Sequence, residues 1–276
     1  MNILSILNKM FLASVLMVST SCDDLEGDNS DYNFSEEQTK LDPARLPDSY
    51  RIATYNTHRC SPENFVVNYD NTAKVISLID ADVIALQEID KNTNRNSKDQ
   101  MQELADRTGM YPIFLPCVTY TQGQYGIGML CKNKPLKVLT RDLPGKEKRG
   151  MLLAEFDDFI VIGTHLCVSS ADNRAWSYDM ITQFIKDNYG DYKKPIYLCG
   201  DLNDSSLPKE ATEHWQTISS SAVTFPGSSK RIDYVLQYKD NNSSYEVLRT
   251  FVPAFDEIRL IEVSDHFPVI VDLSKK

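Results

Sequence analysis

From residue 49 onward the chain repeats one pattern of polarity, a short apolar run that stops at a polar residue. "RIATYN" ends at Asn56, "DVIALQE" at Glu88, "FIVIGTH" at His165 and "PIYLCGD" at Asp201. Runs of this length, rich in β-branched residues, predict strands. Between them the apolar positions fall at helical spacing. "NTAKVISLIDA" puts Val75, Ile76 and Ile79 on one face after a capping Asn71 or Thr72. "SKDQMQELADRTGM" groups Met101, Leu104 and Ala105 ahead of a Gly109 stop. "SADNRAWSYDMITQFIKDN" offers Asp172 as cap and a stripe of Trp176, Met180, Ile181, Phe184 and Ile185. The last third is strand-rich: "SKRIDYVLQY", "YEVLRTFV" and "HFPVIVDL". Helices alternating with strands early, and strands following one another late, predict a mixed α/β domain with more than one sheet. In such folds reacting groups gather just beyond strand ends, where loops converge on a rigid support.

The first residues break this pattern. Lys9 precedes the apolar run "MFLASVLMVSTS", which ends in small residues before Cys22. The run is too short to span a membrane and has the order of a signal peptide. A cysteine directly after "STS" resembles a bacterial lipoprotein signal, although Ser19 stands where such signals prefer Leu. The expected organisation is a signal peptide over residues 1–21, then a lipidated Cys22 with a flexible acidic linker over 22–48, then a catalytic domain over 49–276. The acidic stretch "CDDLEGDNSD" resembles the tethers of surface-exposed lipoproteins in the Bacteroides group. The expected location is therefore the outer membrane, on its periplasmic face or at the cell surface, with the membrane as a partner through the lipid.

Composition narrows the class. The chain has 276 residues, is 42% hydrophobic and 25% charged, and carries a net charge of -10. These values fit one large globular domain, or at most two, and a monomer is expected. They argue against a surface that tracks a phosphate backbone, which needs a basic footprint. Cys60, Cys117, Cys131, Cys167 and Cys199 are odd in number, mixed in spacing and without a CxxC pair, which argues against a zinc site and against a disulfide framework. Buried free thiols are expected, with a single Cys60–Cys167 bridge left open.

Taken together, the polar residues at strand ends suggest chemistry. Asn56, Glu88, His165, Asp201, Asn203, Asp233 in "RIDYVL", and Asp265 and His266 in "SDHFPV" supply several carboxylates, two imidazoles and amides. Oxygen-rich ligation without cysteine suits Mg²⁺, with Mn²⁺ as an alternative, better than zinc. The set fits metal-assisted hydrolysis of a phosphate ester by activated water.

The blocks "ATYNTH", "DVIALQEID", "YGIGMLCK", "VIGTHL", "GDLND", "RIDYVL" and "SDHFPV" occur in an order that resembles the endonuclease/exonuclease/phosphatase superfamily, and they cover residues 51–273. The resemblance implies a four-layered α/β/β/α sandwich, two mixed β-sheets flanked by helices, with one metal-dependent site. It implies Glu88 as principal metal ligand beside Asn56 and Asp265. Asp201 and Asn203 would position water and a phosphoryl oxygen, and His266 would pair with Asp233. Whether His266 or Asp201 takes the water's proton stays open. His165 would donate to phosphoryl oxygens. The glutamate that orients this histidine in nuclease members is missing from Gln124-Tyr125-Gly126-Ile127. Arg95 resembles an arginine of many bacterial members, as an anion contact or as a solvated loop residue. Lys146, Lys148 and Arg149 in "GKEKRG" read as an exposed hairpin in preference to a phosphate clamp. Asp204 reads as part of a turn, and His58 and His214 as surface or supporting residues.

The expected substrate is a small or lipid-derived phosphodiester or phosphomonoester. Two rivals remain: a nuclease acting on DNA or RNA, and a non-catalytic binding lipoprotein of an outer-membrane complex. A nuclease needs basic or aromatic grip on a strand. A binding protein would have lost Glu88, Asp201 or His266, and all three are present.

Overall fold

The computed structural model describes residues 42–62, 64–241 and 243–275. The signal peptide, Cys22 and most of the expected linker lie outside the described residues. No helix of the described residues is long and apolar enough to cross a membrane.

Among the described residues twelve strands form the body: β1 (Ser49–Asn56), β2 (Val83–Lys91), β3 (Tyr111–Tyr120), β4 (Gly123–Cys131), β5 (Lys137–Leu143), β6 (Arg149–Glu155), β7 (Ile160–His165), β8 (Ile196–Asp201), β9 (Trp215–Thr217), β10 (Asp233–Tyr238), β11 (Val247–Phe251) and β12 (Val269–Ser274). They make two six-stranded sheets, ordered β11-β12-β1-β2-β4-β3 and β5-β6-β7-β8-β10-β9. Each sheet is mixed, with one parallel pair at its centre, β1 with β2 and β7 with β8. Helices α1 (Tyr69–Ile79) and α2 (Gln100–Thr108) cover the first sheet, and α3 (Ala171–Tyr189) with the short α4 (Lys209–Thr212) covers the second. This is the expected four-layered sandwich.

The near-continuous apolar runs now have a physical reason, since central strands are buried on both faces. Leu152, Ala154, Val161, Tyr197, Cys199 and Val235 belong to the core between the sheets. Their neighbours Met151, Leu153, Ile160, Ile162, Ile196, Leu198, Tyr234 and Leu236 belong to a second core under α3. The sheets meet closely at Gly163, where a Cβ would lie 2.9 Å from Met129 Cε and 3.3 Å from Ala85 Cβ.

The helix stripes are partly as expected. Val75, Ile76 and Ile79 are buried, but α1 starts earlier, with Asn68 as its cap accepting from the Asn71 amide. Gly109 ends α2 in the left-handed conformation that glycine tolerates. For α3 the cap is Ser170 rather than Asp172, and the buried face is Tyr178, Ile181, Ile185 and Tyr189. Trp176 lies off that face, 58% exposed. All five cysteines after residue 41 are free, so no Cys60–Cys167 bridge forms.

At the end of β1 remote from Asn56, Arg51 and Asp272 pair at 2.6 Å with no solvent exposure. Arg51 also donates to Pro43 O at 2.8 Å, and Arg249 donates to Asp42 O at 2.8 Å. The chain therefore enters the domain tied to the pole opposite the polar strand ends.

Candidate active site

Both sheets deliver their polar residues to one end. In the second sheet the ladder aligns His165 with Asp201 and Asp201 with Asp233. Directly opposed residues share a face, so three chemical groups stand in a row on adjacent strands. The approach of β7 to β8 requires Gly200, because a Cβ there would lie 2.1 Å from the Thr164 carbonyl oxygen. The first sheet contributes Asn56 at the end of β1, Glu88 in β2, and Asp265 and His266 just before β12.

Glu88 corrects the strand-end expectation. β2 continues to Lys91, and the β2–β4 register shifts between Leu86 and Ile89. Glu88 sits in that irregularity with φ of 60°. A bulge re-aims a side chain that regular alternation would have placed elsewhere, and a positive φ on a non-glycine residue marks a conformation held by its surroundings.

Asp201 is the hub, 2% exposed. Its Oδ2 accepts from Asn56 Nδ2 at 3.1 Å, and its Oδ1 accepts from the Asn203 amide at 3.0 Å. His165 Nε2 lies 3.5 Å and His266 Nε2 3.8 Å from Asp201 Oδ2. Asn56 Nδ2 also reaches Glu88 Oε1 at 3.3 Å, so one amide ties the two carboxylates together. His266 Nδ1 lies 2.9 Å from Asp233 Oδ2, and the Phe225 ring packs 4.8 Å from the imidazole. Ser264 fixes this corner by donating to Asn56 O at 2.8 Å and accepting from the His266 amide at 3.2 Å. Asn203 takes a left-handed φ of 53° and donates its side chain to Leu166 O, bracing the loop after β7. Asp265 stands at the open side, with Oδ1 3.9 Å from His58 Nδ1.

The electrostatics separate the two histidines. Burial opposes the charged form of His266, but Asp233, Asp201 and Asp265 outweigh it and push the imidazole up to about 10. Burial, with the positive charges of Arg149 and His266 nearby, holds His165 well below the ordinary histidine value. One ring is therefore an imidazolium at neutral pH and the other a neutral donor. Burial and then the Asp233 carboxylate push Asp201 up to about 7, against the pull of His266 and Asn56. Pairs of groups whose environments drive their acidities apart are the mark of acid–base chemistry.

The description endonuclease/exonuclease/phosphatase family fits residues 53–266, more than three-quarters of the chain. The chain belongs to that family. No curated protein matches it. Among solved structures, an endonuclease/exonuclease/phosphatase protein of Bacteroides vulgatus is similar at 20% identity, with a TM-score of 0.67, over 83% of this chain and 99% of that one. A mannosyl-6-phosphatase of Bacteroides thetaiotaomicron is similar at 16% identity and a TM-score of 0.62, over 82% and 100% of the two chains. The human nocturnin catalytic domain, with bound sulfate, is similar at 15% identity and a TM-score of 0.58, over 82% and 93%. At these identities the likeness shows the fold.

Members of this family are divalent-metal-dependent phosphoesterases and nucleases. The residues present fit such an ion. Glu88 and Asp265 have side chains 18% and 25% exposed, so hard oxygen donors reach solvent from which an ion keeps part of its water. Asp201, Asp233 and His266 also bring ligand atoms within 4.8 Å of one another, and Asp233 Oδ1 is buried with no partner.

Several residues sit differently from expectation. Arg95 is exposed, as a loop arginine would be, but is not free to meet an anion: it grips the fully buried Asp90 at 2.7 and 3.0 Å and stacks over Tyr120 and Tyr125. Arg95→Ala is expected to strand that carboxylate, costing about 2–3 kcal/mol and lowering Tm by about 5 °C. Its kcat/KM should stay within about twofold of wild type, which thermal melts and initial rates check together. Asp204 is more than a turn residue, pairing with Arg174 at 2.5 Å and meeting Tyr178. His214 pairs with Asp240 on α4's flank, away from the cluster.

Arg149 was hidden in "GKEKRG". Lys148 pairs outward with Asp142, whereas Arg149 is 6% exposed and turns inward. Its position two residues ahead of Met151, the ladder partner of Thr164, brings its charge beside His165. Its Nε is buried without a partner, a donor left for a ligand. His58 also lies at the site, its amide donating to Asn56 Oδ1 at 3.1 Å.

Proposed function

We propose that the protein hydrolyses a small or lipid-derived phosphate ester in a reaction that requires Mg²⁺ or Mn²⁺. The observation that carries this reading is the buried Asp201 carboxylate, gripped by Asn56 and faced by one charged and one neutral histidine. Glu88, Asn56 and Asp265 would hold the ion, which would supply charge neutralisation at the phosphoryl oxygens. Asp201, raised towards neutrality, takes a proton from the attacking water; His266, already charged, cannot serve as the base but carries a proton that a far more basic leaving alkoxide can take. Its Nε2–H protonates the leaving oxygen as the P–O ester bond breaks and the ring becomes neutral, while Asp233 holds the imidazole in place through Nδ1. His165 and Arg149 donate to phosphoryl oxygens as negative charge builds up.

The surface supports a small substrate over a nucleic acid. The chain carries a net charge of -10, and in its densest basic block Lys148 is paired with Asp142 while Arg149 is buried, which leaves little basic surface to follow a strand. A hydrolysis panel tests the reading: plasmid DNA, RNA, sphingomyelin, inositol and sugar phosphates, and bis-p-nitrophenyl phosphate, each with Mg²⁺, Mn²⁺ or EDTA. EDTA is expected to abolish turnover and either metal to restore it. Glu88→Gln should raise the metal concentration needed for half-maximal rate by about tenfold or more. Cleavage of plasmid DNA ahead of every small ester would replace this reading with the nuclease one, and no turnover of any substrate with either metal would end it.

A further inference from the structure

Three successive residues after Asn56 and Thr57 take left-handed φ values: His58 at 45°, Arg59 at 61° and Cys60 at 58°. None is glycine, so the surroundings must enforce the turn. They do so closely. The Cys60 amide donates to Thr57 O at 2.9 Å, the Asn68 amide to Cys60 O at 2.7 Å, and Gln100 Nε2 to Arg59 O at 2.6 Å. Cys60 is itself fully buried. The effect of the turn is to send Arg59 back towards β2.

The Arg59 guanidinium arrives there incompletely paired. Nη2 lies 2.5 Å from His58 Nε2. Arginine has no acceptor, so this ring nitrogen accepts, and the imidazole proton sits on Nδ1, 3.0 Å from Ser61 O. The exposed Phe65 ring lies 5.4 Å from the guanidinium carbon. The nearest carboxylate is Glu88, with Oε2 3.8 Å from Nη1, inside ion-pair range but beyond a hydrogen bond. By contrast, Arg51, Arg95 and Arg174 each hydrogen-bond a buried carboxylate at 2.5–2.7 Å.

We infer that Arg59 is an oxyanion-binding residue at the Glu88 edge of the site, balancing the carboxylate until a divalent cation arrives and then turning to the substrate phosphate. This rests on the phosphoesterase reading. A guanidinium beside Glu88 competes with a cation for the same carboxylate, and like charges cannot both keep that place. The side chain is 21% exposed, so its flexible stem has room to move outward. A displaced guanidinium offers paired donors that match a phosphate better than any other side chain.

Calorimetric titration separates this from a packing role. Mn²⁺ is titrated into wild type, Arg59→Gln and Arg59→Lys, and inorganic phosphate is then titrated into each Mn²⁺-loaded protein. Arg59→Gln is expected to bind Mn²⁺ about three- to tenfold more tightly and phosphate about tenfold more weakly. Arg59→Lys keeps the charge without the fork, so its Mn²⁺ affinity should match wild type while phosphate binding falls in between. Two changes of opposite sign cannot come from a loosened turn, which would weaken both. Parallel weakening in Arg59→Gln, or both affinities within about twofold of wild type, overturns the inference and leaves the phosphoesterase reading standing. Failure of wild type to bind Mn²⁺ at all overturns both.

Discussion

Asp201→Asn is expected to remove turnover almost completely while leaving Tm at pH 8 at or above that of wild type. The carboxylate is nearly inaccessible, and burial together with the Asp233 charge raises its pKa to about 7. A raised folded-state pKa means that ionising Asp201 costs the fold more than it costs the unfolded chain, for which the pKa is about 3.9. That penalty is absent below about pH 4, grows as pH rises towards 7, and is fully present at pH 8. The amide removes it. One contact must suffer, since Asn56 Nδ2 and the Asn203 amide both donate to the carboxylate and an amide has a single acceptor oxygen. The lost contact and the relieved charge offset each other, so stability is held. Catalysis has no such offset. Without a group to accept the water's proton the rate should fall by about 10²–10⁴. Thermal melts at pH 4 and pH 8 beside single-turnover rates check both parts. A variant within tenfold of wild-type rate, or one melting more than about 5 °C lower at pH 8, would show that Asp201 is a structural carboxylate and not the base.

How far the site was legible depended on what each residue needs from its strand. Asn56, His165, Asp201 and Asp233 end or begin regular strands, so the switch from apolar to polar in the sequence marks their places directly. Glu88 was legible as a residue but not as a conformation: the run "DVIALQE" looks like a strand that stops, whereas β2 continues and bulges. Period-two reasoning has no symbol for a bulge. Arg149 was hidden because a cluster of basic residues has the composition of a solvated hairpin. Only the pairing of β6 with β7 shows that one of the three turns inward beside His165. Arg95 is exposed as a loop arginine would be, but its grip on Asp90 was hidden, since that buried carboxylate lies in the continuation of β2 beyond the run "DVIALQE". In α3 the apolar residues outnumber the positions that face the core, so Trp176 satisfied the helical spacing and still lies in solvent. The cores themselves were the most readable part, because continuous apolar runs can only be strands covered on both sides or buried helix segments.

His266→Ala is expected to lose both rate and stability, and the way the second loss depends on pH and on Asp233 identifies its cause. Asp233 has no solvent exposure, one oxygen held by His266 Nδ1 at 2.9 Å and the other without a partner. Deleting the imidazole leaves a buried carboxylate with nothing to balance it, a change that typically costs about 3 kcal/mol or more. The folded-state pKa of His266 is raised to about 10, above the roughly 6.5 of an unfolded histidine. Its contribution is therefore fully present below about pH 6.5 and is lost as pH rises through 10. The Tm gap between wild type and His266→Ala should be widest near pH 6 and narrow towards pH 10. Adding Asp233→Asn to the alanine variant removes the stranded charge, so the double variant should regain much of the stability without regaining activity, because the acid that protonates the leaving oxygen is still missing. Turnover in both variants should lie about 10²–10⁴ below wild type. A double-variant cycle in Tm and in kcat measures the coupling of the two residues separately for fold and for reaction. If the two losses in Tm simply add, the imidazolium–carboxylate pair is not what holds this corner. If kcat survives in His266→Ala, the leaving oxygen takes its proton from another donor and the assignment of His266 as the acid fails.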